Sequence, residues 1–233
     1  MRRGVVAVAA ASALLLTACS SDAPEVGAPV DSPTTTRPLG PLGIDVASDE
    51  LVALKAEAGM LDCPPSPEPD ANPSETTEPT ETPGTALPAI TLPCLGGGRD
   101  VRLSQLDGPL LINLWASNCA PCRDELPVLQ QVHELADEQV TVLGIDYKDP
   151  KPLSALELAA ESGVTFASLA DLDGVTATEL QVVALPQTVL VDEFGTIVTM
   201  HRRPITSYDE AGALLGEHLG VTLRQPEPTD EPQ

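Results

Sequence analysis

The sequence predicts an α/β domain built on a central, largely parallel sheet, and two observations support this prediction. From residue 87 to residue 221, short apolar runs alternate with segments of helical periodicity, a pattern typical of β/α domains. Two of the runs, at 110–115 and 140–147, are almost continuously apolar, as expected for central strands that are buried on both faces. Because the span from 87 to 221 is long enough to bury one core, we expect a single folded domain.

The individual elements follow from caps, turns and periodicity. Ser48 can cap a short helix, and the glycines at 96–98 indicate the turn of a β-hairpin that precedes the main sheet. A second turn, at 192–195, joins two later strands. In chain order, the pattern predicts helices at 49–58, from 119 to about 138, at 153–161, at 176–181 and at 208–219, and strands at 90–92, 101–103, 110–115, 140–147, 165–169, 188–191 and 196–201.

Two cysteines, Cys119 and Cys122, lie at the junction between the first central strand and the helix that follows it. A thiol at a helix N-terminus is favoured as the thiolate, so Cys119 is the predicted attacking residue and Cys122, one turn deeper, the predicted resolving residue. Pro121 suits a first helical turn. A C-x-x-C pair can also supply half of a zinc site, but Cys63 and Cys94 do not form a second close pair. We therefore predict a reversible disulfide and no metal.

Two stretches resemble a known family. Residues 114–127 read LWASNCAPCRDELP, which is similar to the active-site stretch of the TlpA/ResA-like redoxins, thioredoxin-fold proteins that work outside the cytoplasm and are often tethered to a membrane. Residues 183–192 read VALPQTVLVD, which resembles the loop in which this family carries a cis-proline before a strand. The resemblance implies a thioredoxin-like fold, with a central mixed sheet flanked by helices and an N-terminal β-hairpin extension. It also implies thiol-disulfide exchange with protein cysteines.

The resemblance implies roles for individual residues. Pro186 is expected to pack against the active-site disulfide, and the backbone at Leu185 to pair with a bound extended chain. Trp115 and Pro121 complete the expected substrate-binding set, although a tryptophan on a buried strand also fits simple packing. Glu125 lies three residues after Cys122 and would tune the cysteine pair. The alternative is that Glu125 only complements the helix dipole.

The chain departs from the family pattern at two positions. Asn118 stands directly before the first cysteine, where the family commonly has a second tryptophan, so substrate preference and reduction potential are open. Ala184 stands where the family often has glycine, and we expect this change to narrow the conformations of the proline loop. The dithiol itself is intact.

The N-terminus has the form of a secretory signal. Arg2 and Arg3 precede an apolar run at 5–16, and the sequence then reads LTAC up to Cys19. This ending resembles the lipobox of bacterial lipoproteins, which implies a signal peptide at 1–18 and a lipidated Cys19. The expected location is the extracytoplasmic face of the cell membrane. A plain secreted protein and an uncleaved anchor are the alternatives.

Cys63 and Cys94 remain after the catalytic pair and Cys19 are assigned. In an oxidising compartment, we expect them to form a structural disulfide that ties the segment before the domain onto its first strands. A second exchange-active pair, or two free thiols, is the alternative. The expected organisation continues with a disordered tether at 19–43, a short helix and a Pro-rich acidic linker at 44–86, the thioredoxin-like domain at 87–221 and a disordered acidic tail at 222–233.

Composition limits the partners. The formal net charge is −23, the isoelectric point is about 4.1 and aromatic residues make up 2% of the chain, so nucleic acid is excluded as a partner. We expect a monomer without a cofactor that exchanges electrons with cysteine-containing extracytoplasmic proteins and with a redox partner. The resemblance favours a reductase, but the direction is open because one sequence does not report a reduction potential.

Two other functions fit parts of the pattern. A copper-handling lipoprotein would use the same thiolates for Cu(I), with His201 as the only candidate for a further ligand. A redox-inactive interaction module would use the fold alone, but the intact cysteine pair and Pro186 argue against it. A peroxidase needs an arrangement around one cysteine that the sequence does not contain.

Overall fold

The structure of the chain, a computed structural model, describes residues 43–65 and 85–226. The predicted signal peptide at 1–18, the lipidated Cys19 and the tether up to residue 42 lie outside the described residues. The same holds for residues 66–84 of the predicted linker and 227–233 of the predicted tail.

The described residues form four α-helices and eight β-strands. The helices are α1 (Asp49–Glu57), α2 (Ala120–Leu135), α3 (Pro152–Glu161) and α4 (Tyr208–Leu219). The strands are β1 (Thr85–Ala86), β2 (Thr91–Leu92), β3 (Val101–Arg102), β4 (Leu110–Trp115), β5 (Thr141–Tyr147), β6 (Ser168–Asp171), β7 (Gln187–Val191) and β8 (Thr196–His201).

Six of the strands form one mixed sheet in the order β1-β8-β7-β4-β5-β6. Strands β4, β5 and β6 are parallel to one another, whereas β7 is antiparallel to β4 and β8 is antiparallel to β7. Helices α2 and α3 make the two crossovers between the parallel strands. Strands β2 and β3 pair separately as an antiparallel hairpin. The fold is therefore thioredoxin-like, with a mixed sheet, flanking helices and an N-terminal hairpin, and the prediction is confirmed.

The central strand β4 supplies apolar side chains to both faces of the sheet. Leu111 and Trp115 belong to one core cluster together with residues of all four helices. Ile112 and Leu114 belong to a second cluster, which includes residues of the hairpin. Successive strand residues point to opposite faces, so the continuous apolar run of β4 fills two cores at once.

The prediction of a helix at 176–181 is wrong, because these residues form turns. The carboxylate of Asp171 accepts hydrogen bonds from the backbone N–H groups of Val175 and Thr176 and from the Thr176 hydroxyl. Gln181 has a φ of +46°, which a helix does not allow. The backbone hydrogen bonds here also have mixed spacings, because Leu180 donates to Thr176 whereas Val182 donates to Ala177, so no regular helical repeat forms.

Other element boundaries also differ from the prediction. Helix α2 ends at Leu135 rather than near 138, because Asp137 and Glu138 have φ values of +47° and +60°. The strand predicted at 165–169 lies instead at Ser168–Asp171. The seven predicted strands and the other four predicted helices are all present, so these shifts leave the topology unchanged.

The packed region extends beyond the predicted domain at both ends. Strand β1 lies within the predicted linker and pairs with β8. Helix α1 packs against α3, and Leu51 is buried in the main core. At the other end Leu223 is buried, and the Tyr208 hydroxyl donates to the backbone carbonyl of Arg224 at 2.6 Å. Within the described ranges, no helix combines the length and apolarity needed to cross a bilayer.

Candidate active site

The two cysteines of the C-x-x-C pair are joined in a disulfide, with the sulfur atoms 2.02 Å apart. Cys119 caps α2, and its sulfur accepts a hydrogen bond from the backbone N–H of Cys122 at 3.3 Å. Cys119 is partly exposed, whereas Cys122 is completely buried. Pro121 lies exposed in the first turn of α2. The outer sulfur is thus accessible at a helix N-terminus, where a thiolate is stabilised, and the inner sulfur is shielded.

The loop before Cys119 is held by two side chains. The backbone N–H of Ser117 donates to Asp149 Oδ2 at 2.7 Å, and Arg123 Nη2 donates to the carbonyl oxygen of Ser117 at 2.8 Å. We did not predict either residue from the sequence. The sequence contains one signal for Asp149, which is its position just after β5. Because the carboxyl ends of parallel strands meet at one edge of a sheet, a residue there is expected to lie near the loop that follows β4. Asn118 is exposed at this edge.

The predicted proline loop lies at the same edge of the sheet. The Leu185-Pro186 peptide bond is cis. Strand β7 begins at Gln187, directly opposite Leu114 of β4, so Pro186 precedes β7 where β4 approaches its end. Leu185 is half-buried and contacts both core clusters, Pro186 is buried, and Ala184 is exposed.

Trp115 does not belong to the substrate-binding surface. Its side chain is completely buried in the core cluster that also contains Cys122. A bound polypeptide chain cannot contact a residue with no exposed surface, so we correct this prediction to a packing role. Gly144 makes room for the indole, because a Cβ at this position would lie 2.8 Å from Trp115 Nε1.

Glu125 is buried on α2, one helical turn after Cys122. Its carboxylate accepts hydrogen bonds from Asn113 Nδ2 and from the backbone N–H of Ile205, both at 2.9 Å. Burial raises the pKa of Glu125 to about 7, although both hydrogen bonds oppose the shift. This carboxyl group can therefore take up or release a proton near neutral pH. Asn113, a polar residue in an apolar strand, was a signal that the sequence analysis missed.

A second buried carboxyl group, that of Asp146, lies on β5 opposite Trp115. Among the described residues, neither of its oxygens has a hydrogen-bond partner. Burial raises the pKa of Asp146 well above its usual value, and the nearby carboxylates of Asp149 and Asp171 add to the shift. Asp146 was not identified from the sequence, although an acidic residue within an apolar strand was visible there.

Cys63 and Cys94 form a second disulfide, with the sulfur atoms 1.98 Å apart and the Cα atoms 5.9 Å apart. Cys94 forms an isolated antiparallel bridge with Leu169 of the edge strand β6. The bond therefore links the segment after α1 to this edge of the sheet. The predicted lipidation site Cys19 lies outside the described residues.

Within residues 43–65 and 85–226, no three His, Cys, Asp or Glu side chains are grouped so that they could hold a metal ion. His201 lies on β8 opposite Thr188, and β7 separates β8 from β4. Burial lowers the pKa of His201 below its usual value, and Arg203 contributes to the shift.

Known proteins resemble this chain in sequence and in structure. The thiol:disulfide interchange protein DsbE of Pseudomonas fluorescens biotype C is 34% identical over 125 residues, which cover 52% of this chain and 68% of the relative. A DsbE homolog of Paracoccus denitrificans is 37% identical over 111 residues, covering 47% of this chain and 59% of the relative. The chain thus spans about three fifths to two thirds of these relatives. The structure of a secreted thiol-disulfide isomerase from Corynebacterium glutamicum matches with a TM-score of 0.50 and 30% identity, over 57% of this chain and 83% of that chain.

The thioredoxin-like fold and the disulfide at the entrance of α2 define the class of this protein, which is that of the thiol-disulfide oxidoreductases. The chain belongs to the AhpC/TSA family, whose model matches residues 83–200. The resemblance found in the active-site and proline-loop stretches is confirmed by these matches.

Proposed function

We propose that this protein is a membrane-anchored reductase that transfers electrons from its Cys119/Cys122 dithiol to disulfides of extracytoplasmic proteins. The observation that carries the proposal is the asymmetry of the pair. Cys119 is accessible, and its sulfur accepts a hydrogen bond from the backbone N–H of Cys122. The Cys122 side chain itself is buried. The names of the DsbE relatives support thiol:disulfide interchange as the reaction.

The reaction follows from this asymmetry. The Cys119 thiolate attacks one sulfur of the substrate disulfide, and the other substrate sulfur leaves as a thiolate. Cys122 then loses its proton and attacks Cys119, which releases the first substrate sulfur. The substrate gains two electrons, and the enzyme ends with the Cys119–Cys122 disulfide. A separate protein dithiol must then reduce the enzyme again.

Glu125 and the proline loop support these steps. Glu125 is buried on α2, three residues after Cys122. Because its pKa is about 7, its carboxylate can accept the proton that Cys122 loses. The Leu185-Pro186 loop lies at the same edge of the sheet as the end of β4, and we assign it to hold the extended substrate chain. Pro121, exposed beside the pair, contributes to the same surface.

Two single variants, Cys122→Ser and Cys119→Ser, test the assignment of Cys119 as the attacking residue and Cys122 as the resolving residue. Cys122→Ser should accumulate mixed disulfides with substrate proteins, because the resolving thiol is lost while Cys119 still attacks. Cys119→Ser is the matched control and should trap nothing. Mixed disulfides are separated on non-reducing gels and identified by mass spectrometry. The proposal fails if Cys122→Ser traps no more protein than Cys119→Ser does.

The anchor is supported by sequence alone. An apolar run at 5–16 followed by Cys19 fits cleavage after Ala18 and lipidation of Cys19. In cells grown with labelled palmitate, the protein should carry label and sediment with membranes, and Cys19→Ala should abolish both. Membrane sedimentation of an unlabelled protein would instead indicate an uncleaved anchor.

A further inference from the structure

A buried lysine lies against the second disulfide. Lys55 of α1 is only 5% exposed, and its Nζ lies 3.4 Å from Cys94 Sγ, 2.9 Å from the carbonyl oxygen of Gly97 and 3.0 Å from Asp62 Oδ1. A buried ammonium group needs acceptors, and a disulfide sulfur is a weak one. A thiolate at the same place would be a strong acceptor, because both partners would then be charged. The contact is therefore stronger once the disulfide has opened.

The glycine turn at 96–98 makes this contact possible. At Gly96, where φ is +73°, a Cβ would lie 2.7 Å from the Cβ of Lys55. At Gly98, where φ is +119°, a Cβ would lie 3.4 Å from Cys94 Sγ and 3.7 Å from Lys55 Nζ. The turn thus leaves space for the lysine side chain to reach the sulfur.

The two sulfurs of this disulfide have different surroundings. Cys63 Sγ lies 3.4 Å from the carbonyl oxygen of Ser168, which can accept a hydrogen bond from a thiol but would repel a thiolate. Cys94 Sγ instead faces the Lys55 ammonium group. Both residues are buried, although Cys63 keeps 7% of its surface exposed and Cys94 keeps none. An incoming thiol can therefore reach Cys63 more readily, and Cys94 is the better leaving group.

We propose that Cys63–Cys94 is a second exchange-active disulfide, in which Cys63 is the attacked sulfur and Lys55 holds Cys94 as the leaving thiolate. The reductant is a protein dithiol. One of its sulfurs, as a thiolate, attacks Cys63 Sγ, a new S–S bond forms, and the electron pair of the broken bond stays on Cys94.

The second sulfur of the reductant then completes the exchange. It attacks the reductant sulfur of the mixed disulfide, and Cys63 leaves, takes the remaining proton and donates it in a hydrogen bond to Ser168. The reductant becomes a disulfide, and this protein holds a Cys63 thiol and a Cys94 thiolate paired with Lys55. Two electrons have moved, and the reaction needs no other reactant.

Reaction of the wild-type protein with reduced glutathione identifies which of the two sulfurs is attacked. Under native conditions the adduct should be found on Cys63 and not on Cys94, after acid quenching, digestion and mass spectrometry. The same digest reports the Cys119/Cys122 pair separately, so failure at one centre is distinguishable from failure at the other. An adduct on Cys94, or a pair that dithiothreitol opens only after guanidinium unfolds the protein, would overturn the proposal.

Substitution of Lys55 tests the leaving-group assignment. Lys55→Met should slow reduction of Cys63–Cys94 by dithiothreitol by about tenfold and raise the disulfide fraction at a fixed glutathione ratio, because the leaving thiolate loses its counter-charge. Lys55→Arg keeps a positive charge and should stay near the wild-type rate. The exposed Lys151 supplies the control, Lys151→Met, which should change neither quantity. Equal reduction rates in folded Lys55→Met and Lys151→Met would refute the role of Lys55. If Lys55→Met does not fold, the position of the glutathione adduct in the wild-type protein tests the proposal instead.

Discussion

At the scale of single residues, the reactivity of the ionisable side chains in this protein depends on their burial and their neighbours. Cys119 and Cys122 have identical side chains, but only Cys119 lies at the exposed helix entrance. Glu125 and Asp124 are neighbours in the same helix, yet Asp124 is exposed while Glu125 is buried against Asn113. Burial of a carboxyl group favours its neutral form, and it raises the pKa of Glu125 to about 7.

Replacement of Glu125 should change the pH dependence of exchange. In the wild-type protein we expect the rate of disulfide exchange to rise with pH through about 7, as Glu125 loses its proton and can accept that of Cys122. Glu125→Gln should remove this inflection and lower the rate at neutral pH by roughly tenfold or more. Stopped-flow reduction of a model disulfide between pH 5 and pH 9 measures the profile.

The control for this prediction is Asp124→Asn, which lies on the exposed side of the same turn. It should retain the wild-type inflection. Glu125 also has a stability signature. Because its folded pKa of about 7 exceeds the ordinary value of 4.5, its contribution to stability is full below about pH 4.5 and is lost as the pH rises through 7. An unchanged pH profile in Glu125→Gln would contradict the proposed proton transfer.

At the scale of elements, β4 and β5 each carry one buried polar side chain among apolar neighbours. Asn113 interrupts β4 and binds Glu125 of α2 and Thr188 of β7. Asp146 interrupts β5 and has no hydrogen-bond partner among the described residues. A buried carboxyl group without partners destabilises a fold in its charged form, and the raised pKa of Asp146 reflects this. Both positions lie on the helix-covered face of the sheet, towards the end of β4 that leads to Cys119.

The attachment of α1 to the sheet also belongs to this scale. The Cys63–Cys94 disulfide closes a loop with a sequence separation of 31 residues, and we propose that in its oxidised state it ties the α1 segment to β6, although it can exchange. Replacing both cysteines by serine should lower the free energy of unfolding by about 3–4 kcal/mol, mainly because the unfolded chain gains freedom. Urea unfolding of the oxidised proteins measures the difference.

The matched control replaces the other pair, Cys119→Ser together with Cys122→Ser. That bond has a sequence separation of only three residues, so its loss should cost less stability than the loss of Cys63–Cys94. If both double variants unfold at the urea concentration of the wild-type protein, neither disulfide restrains the unfolded chain, and the proposed tether is wrong.

At the scale of the whole molecule, the direction of electron flow depends on how the complete fold stabilises each redox state. We expect the Cys119/Cys122 couple to have a reduction potential near that of thioredoxin, about −270 mV, as a reductase requires. Equilibration with glutathione or dithiothreitol buffers, followed by acid quenching and mass spectrometry of the active-site peptide, measures it. A value near that of strong periplasmic oxidants, about −120 mV, would instead make the protein an oxidase.

Much of the architecture was predictable because it rests on local patterns. The apolar runs of β4 and β5, the cap at Ser48 and the C-x-x-C pair are features of short stretches, and the structure contains each of them. The predicted helix at 176–181 failed because the backbone hydrogen bonds of this stretch span three, four or five residues instead of a regular four, and Gln181 has a positive φ. Apolar periodicity alone does not predict irregular bond spacings or a residue with positive φ.

The sequence by itself determined the alternation of strands and helices, the redox-active cysteines and the family, because these depend on residues close together in the chain. Only the tertiary structure decided that Asn113 binds Glu125, that Asp149 holds the loop at Ser117 and that Lys55 meets Cys94. The last two contacts join residues 32 and 39 positions apart. Such contacts depend on strand order, register and the packing of helices on the sheet, which no local pattern specifies.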